Sequence, residues 1–198
     1  MPLPRKFYSR KDTARIAREL LGKLLVVESD EGRVSGMIVE TEAYLGEADR
    51  AAHSYGGRRT PRNEVMYGRA GFVYVFFVYG MYFQFNCVTG RSGVPHAILI
   101  RGIEPIEGVE IMQRRRPKAR KLSEIASGPG KLCIAMGIDR SFNGADLLGK
   151  NVFIEKFRRI DDADIETGRR IGIDYAGEDA ALPLRFWIRG NECVSRRR

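Results

Sequence analysis

The spacing of apolar residues changes several times along the chain, and each change marks an element. Ile16, Ala17, Leu20 and Leu21 fall on one helical stripe that Gly22 can stop, and Ser9 with Asp12 three residues later resembles a capping box. Residues 24–28 read as a strand, Asp30-Glu31-Gly32 supply a turn, and 33–44 predict a longer strand returning from it. From Gly46 to about Gly71 the chain is polar and glycine-rich, which predicts a flexible loop. Two strands follow, 72–78 and 83–88, joined at Tyr79-Gly80, a pair with the composition of a tight turn. Another strand is expected over 96–103, a helix over 105–116 and a short helix over 131–136 closed by Gly137. The last third reads as strand 151–157, helix 161–172 and strand 184–189.

No repeat is visible, and the spacing is too irregular for successive βαβ units. The expected fold class is therefore α+β: one domain, 1–198, with a curved, mostly antiparallel sheet or open barrel, flanking helices and a protruding hairpin. The longest apolar stretch, 72–83, is broken by Gly80 and falls short of the ~18 residues of a spanning helix. The N-terminus lacks the apolar run of a secretory signal, so no membrane partner is expected. Three cysteines stand far apart without a CxxC pair, and there are only two histidines. That pattern argues against a metal site or a disulfide framework and suits a reducing compartment.

Charge narrows the function. Thirty-four basic residues against twenty-five acids give a net +9, which favours a polyanionic partner. The loop Tyr55-Gly-Gly-Arg-Arg-Thr-Pro-Arg62 is basic, and Ser127-Gly-Pro-Gly-Lys131 precedes a helix whose amides could meet a phosphate. Residues 113–121 hold six basic residues and no acid, the composition of a solvated loop. Nine of the nineteen aromatic residues lie between Tyr67 and Phe85. Alternation puts Phe72, Tyr74, Phe76 and Val78 on one strand face and Val73, Val75, Phe77 and Tyr79 on the other. Most of these rings suit a core. Tyr79, Met81 and Tyr82 surround the expected hairpin tip, where they would either wedge between base steps or pack under a neighbouring loop.

The same alternation sets Glu40, Glu42 and Tyr44 on one face. This spacing fits an exposed polar face. It also fits a buried carboxylate acting as general base beside a ring that stacks a planar substrate.

Several stretches together resemble the alkyladenine (3-methyladenine, methylpurine) DNA glycosylases of base-excision repair. They are Leu21-Gly-Lys-Leu-Leu-Val, Val39-Glu-Thr-Glu-Ala-Tyr-Leu-Gly46, Ala51-Ala-His-Ser-Tyr-Gly-Gly-Arg-Arg-Thr-Pro-Arg-Asn63, and Tyr79-Gly-Met-Tyr-Phe83. Asn86, Arg101, Glu104-Pro-Ile-Glu-Gly108, Ser127-Gly-Pro-Gly-Lys-Leu-Cys133, Tyr175-Ala-Gly-Glu178 and Pro183-Leu-Arg-Phe186 continue the match in order over nearly the whole chain. The resemblance implies that Glu42 activates the attacking water and that Arg101 helps to hold water and carboxylate. Tyr44 and Phe76 would sandwich the flipped base, with His53 at its edge and the Ala51 carbonyl as acceptor. Asn86 would crowd the 2-amino group of guanine. Tyr79 would fill the gap in the duplex, flanked by Met81 and Tyr82. Arg58, Thr60, Arg62, Lys131 and the turn Arg170-Ile171-Gly172 would hold the DNA backbone. Position 76 departs from the better-known relatives, where a tyrosine stands: Phe76 keeps the stacking face and lacks the hydroxyl.

The expected activity is a monofunctional DNA glycosylase, free of metal and cofactor, acting as a monomer on double-stranded DNA that contains damaged purines. No lysine falls in the motifs lining the expected pocket, which argues against a Schiff-base lyase step. The chain would be cytoplasmic in a prokaryote and nuclear in a eukaryote. The alternative is a non-catalytic nucleic-acid-binding module, because the same open barrel resembles the C-terminal domain of methionyl-tRNA formyltransferase.

Overall fold

The computed structural model describes residues 1–78 and 80–195. A one-turn helix, α1 (Arg5–Tyr8), precedes α2 (Thr13–Leu20). The cap of α2 is Asp12, whose side chain accepts the Arg15 amide at 2.9 Å, while Ser9 ends α1. The expected capping box is thus replaced by a single Asp cap. Thr13, Ile16, Ala17 and Leu20 form the buried face of α2.

Among the described residues the strands are β1 (Leu24–Ser29), β2 (Gly32–Tyr44), β3 (Val73–Val78), β4 (Tyr82–Thr89), β5 (His96–Glu107), β6 (Val152–Glu155), β7 (Ile165–Gly168) and β8 (Arg185–Ile188). They form one curled antiparallel sheet, a half-barrel in the order β3-β4-β5-β2-β1-β6. Strand β2 organises it. Along 32–37 it pairs with β1, and along 40–42 with β8, which in turn pairs with β7. The sheet forks where β2 and β5 lose register, skipping Val39 on one strand and Arg101 on the other. Such irregularities re-aim side chains and bend the strand.

The remaining helices are α3 (Val109–Arg115), α4 (Leu122–Ile125) and α5 (Pro129–Met136). They pack with α2 against the main core, whose members include Tyr8, Ile16, Leu25, Ile38, Phe85, Ile98 and Met136. Each such fully buried side chain contributes roughly 1.5–3 kcal/mol relative to an exposed one.

Two further expectations change. The helix expected from Pro105 begins at Val109, because β5 runs on to Glu107 and Gly108 then adopts φ +64°. A Cβ on Gly108 would collide with the Arg33 carbonyl, so only glycine makes this break. The helix expected over 161–172 is a short 3-10 turn (Asp162–Asp164) followed by β7. Strand β7 covers the edge of β8, and the Trp187 indole of β8 donates to Glu166 of β7 at 2.6 Å. The sequence here lacks the apolar period that would hold a helix, and the exposed sheet edge takes it as a strand.

Candidate active site

Strand β2 carries Glu40, Glu42 and Tyr44, and the lost register beside it brings Arg101 of β5 between the two carboxylates. Both glutamates are fully buried, which removes the reading of an exposed polar face. Glu40 accepts from Arg101 Nε (3.0 Å), Arg185 Nε (2.7 Å), and the Ser195 hydroxyl (2.8 Å) and amide (2.7 Å). Glu42 accepts from the Tyr44 hydroxyl (2.8 Å) and the Ile171 amide (2.7 Å), and lies 3.3 Å from Arg101 Nη1. Two carboxylates and two guanidiniums therefore share one desolvated cluster in which each charge has a partner. Buried ions persist only under that condition. Burial pulls the Arg101 pKa down, but Glu42 and Glu40 outweigh it, so Arg101 stays a cation. Burial and the Glu42 carboxylate hold the Tyr44 phenol well above its ordinary pKa, so it remains a donor.

A cavity of about 270 Å³ opens beside this cluster. Its walls include Tyr44, Tyr74, Phe76 and His53, with Asn86 on β4 and Ile171-Gly172 closing other sides. Glu42 lies one hydrogen bond or ion pair behind the wall: Tyr44, Ile171 and Arg101 all line the cavity and all hold its carboxylate. His53 Nδ1 meets the Tyr74 hydroxyl at 2.8 Å, and its ring lies edge-on to Phe76 at 4.5 Å. Burial, then Arg62 and Arg58, lower the His53 pKa to about 4, so the ring is neutral at pH 7. Asn86 is 3% exposed and donates its amide to the Tyr74 carbonyl at 3.1 Å, which fixes the side chain at the cavity wall.

The expected site residues thus divide. Tyr44, Ala51, His53, Phe76, Asn86, Arg101, Ile171 and Gly172 converge on the cavity. Arg58, Thr60 and Arg62 line an adjoining concavity that shares His53. The loop that carries them is not free. Asn63 is buried, and its amide donates to the carbonyls of His53 (3.0 Å) and Arg58 (2.8 Å). Met81 and Tyr82 lie on the β3–β4 hairpin, where Met81 is 63% exposed. Tyr79 lies outside the described residues. Lys131 is exposed on the first turn of α5.

One assignment is corrected. Arg170, expected against the DNA backbone, is buried and makes a two-pronged pair with Asp49 at 2.5 and 2.9 Å. Its guanidinium also donates to the Ala43 carbonyl and lies 4.8 Å from the Tyr44 ring centroid, and its burial keeps it from a phosphate. It packs on the Tyr44 ring instead. The neighbouring Ile171 turns its amide inward to Glu42.

Sequence reasoning missed several members. Tyr74 shares the alternating face of Phe76, and that period was the available signal. Tyr175 lines the cavity and donates to the Ala51 carbonyl at 3.3 Å. Asp49 and Ser195 had no local signal, and the Pro183-Leu-Arg-Phe186 motif marked Arg185 without its role, since each acts through a partner more than a hundred residues away.

Comparisons with known proteins identify the family. Residues 6–192 match the profile of the family described as Methylpurine-DNA glycosylase. A protein of Methanocella arvoryzae is 53% identical, covering 98% of this chain and 96% of its own. One from Clostridium acetobutylicum is 50% identical, with 98% of each chain covered. One from Alkaliphilus oremlandii is 43% identical over the full length of both. All three bear the name "Putative 3-methyladenine DNA glycosylase". The chain belongs to the methylpurine-DNA glycosylase family.

Proposed function

We propose that this protein is a monofunctional DNA glycosylase. It turns an alkylated or deaminated purine out of duplex DNA, hydrolyses the N-glycosidic bond and leaves an abasic site. The observation that carries this reading is the Glu42 carboxylate, buried with Arg101 directly behind an aromatic-walled cavity. A module that only binds nucleic acid has no use for such a pair.

A base inside a duplex is out of reach and must be flipped at a cost of a few kcal/mol. Stacking between Tyr44 and Phe76 returns ~1–3 kcal/mol per base. Tyr79, Met81 and Tyr82 fill the gap in the duplex, while Arg58, Thr60, Arg62, Lys131 and the Gly172 turn engage the backbone. His53, neutral at pH 7, meets the base edge without repelling a cationic purine.

Hydrolysis passes through a positively charged, oxocarbenium-like sugar. One oxygen of Glu42 exchanges the Tyr44 hydroxyl for a water, while the Ile171 amide and Arg101 keep the carboxylate in place. The water oxygen bonds to C1′, its proton passes to Glu42, and the purine leaves with the electron pair of the broken C1′–N bond. A purine already cationic from alkylation leaves neutral, so carboxylate and pocket suffice. The carboxylate also stabilises the developing positive charge. We assign this activity to a monomer, and place it in the prokaryotic cytoplasm because the named relatives come from bacteria and an archaeon.

The test is release of free base from duplexes bearing single defined lesions, followed by chromatography. Wild type should release 3-methyladenine, whereas Glu42→Gln should bind the same duplex and lose ~10²–10⁴-fold in rate. Binding without base release by wild type would leave only a binding module.

A further inference from the structure

None of the roles above uses the basic segment 113–121, and in the structure it is not a loose loop. Its first residues end α3, Ala119 is buried, and the Gln113 amide donates to the carbonyls of Arg116 (3.3 Å) and Ala119 (2.7 Å). Arg116 in turn donates to the Ile125 carbonyl of α4 at 3.3 Å. Held this way, Arg116, Lys118 and Lys121 line an open cleft of about 750 Å³ together with Lys131 of α5. The acids in the same lining are Glu124 and Glu192, so the cleft is net basic.

The position of the cleft gives it meaning. Arg101 and Ile171 line both this cleft and the base cavity. The two spaces therefore meet at the pair of residues that holds Glu42. If the cavity takes a base and Glu42 serves its glycosidic bond, that bond lies at the junction. The sugar-phosphate chain must then pass into the space beside it. The loop arginines Arg58 and Arg62 border the base cavity elsewhere, through His53 and Tyr175. A second basic surface is left for the strand to follow.

We propose that the 116–121 cleft binds the phosphodiester backbone on one side of the flipped nucleotide, with Arg116, Lys118 and Lys121 as its phosphate contacts. This rests on the glycosylase reading, and the experiment separates the two. Binding is measured by fluorescence anisotropy over a range of salt, on duplexes carrying one tetrahydrofuran abasic-site analogue. The duplexes are symmetric, or shortened on one side or the other of the analogue. Lys118→Ala/Lys121→Ala is compared with Lys150→Ala/Lys156→Ala, which removes the same charge from exposed positions outside the cleft.

Wild type should weaken more when one particular flank is shortened. The cleft variant should lose that asymmetry. Its slope of log affinity against log salt should fall by up to ~1.8, at ~0.9 per phosphate contact. The control variant should keep both the asymmetry and the steeper slope. Equal slopes in the two variants, or a flank asymmetry that survives in the cleft variant, would overturn the proposal. Failure of wild type to release any damaged base would instead overturn the glycosylase reading, whatever the cleft does.

Discussion

Tyr44 has two separable contacts, a ring face on the cavity and a hydroxyl on Glu42. Tyr44→Phe keeps the ring and frees one carboxylate oxygen, so excision should stay within about tenfold of wild type. Tyr44→Ala loses a stacking face worth ~1–3 kcal/mol, or roughly 5–150-fold in affinity for a lesion duplex. Single-turnover rates and anisotropy measured side by side separate these effects; a collapse of the Phe variant would make the hydroxyl part of the chemistry. Asn86 is held at the wall by the Tyr74 carbonyl. Asn86→Ser should open space for a 2-amino group and let the enzyme release guanine from undamaged or mismatched pairs, with little gain for adenine. Equal guanine release by wild type and variant would locate the filter elsewhere. His53 carries a pH signature. The folded protein protonates it only near pH 4, mainly because it is buried, whereas the unfolded chain takes up that proton near 6.5. Between these values the unfolded state binds more protons. Stability therefore falls as pH falls through this window, by roughly 3 kcal/mol, and is flat below it with respect to this group. Urea unfolding of wild type and His53→Gln across that range should converge by this amount.

At the scale of elements, the fork of the sheet is held by Glu40. One carboxylate of β2 ties Arg101 of β5, Arg185 of β8 and the chain at Ser195. Glu40→Ala would leave two buried guanidiniums short of a counter-charge, and such a loss costs about 3–5 kcal/mol. The expected result is a lower urea midpoint with an unchanged m-value; a midpoint equal to wild type would mean that Ser195 and Glu42 suffice to hold both arginines. A second joint links the hairpin to α5. A Cβ on Gly130 would lie 2.9 Å from the Tyr82 ring, so glycine lets the hairpin rest on the helix that carries Lys131.

Over the whole molecule, the net charge of +9 includes two basic surfaces that border the base cavity: the 58–62 loop and the 116–121 cleft, which Lys131 also lines. Binding to duplex DNA should therefore weaken steeply with salt and across all sequences alike. Lys131→Ala should reduce the slope of log affinity against log salt by ~0.9. A titration at several salt concentrations reads this directly, and an unchanged slope would remove Lys131 from the DNA footprint. No helix among the described residues is long and apolar enough to cross a membrane.

The strands around the site were legible because alternation is local: Tyr74 and Phe76, or Glu42 and Tyr44, share a face by chain geometry alone. The motifs carrying the family resemblance were legible too, and with them the cavity residues from Tyr44 to Asn86. Strand β7 was not, because its four residues form only against the edge of β8, beyond the reach of any local period. The burial of Glu40 and Glu42 was equally out of reach of spacing, which fits a solvent-facing strip just as well. Arg170 shows the same limit: its composition suits a phosphate, and only the folded chain sets Asp49 against it. Local periodicity and residue chemistry, then, determined which side chains could meet a base and a backbone. Tertiary structure decided which charges were desolvated and paired, since that depends on partners brought together from opposite ends of the chain.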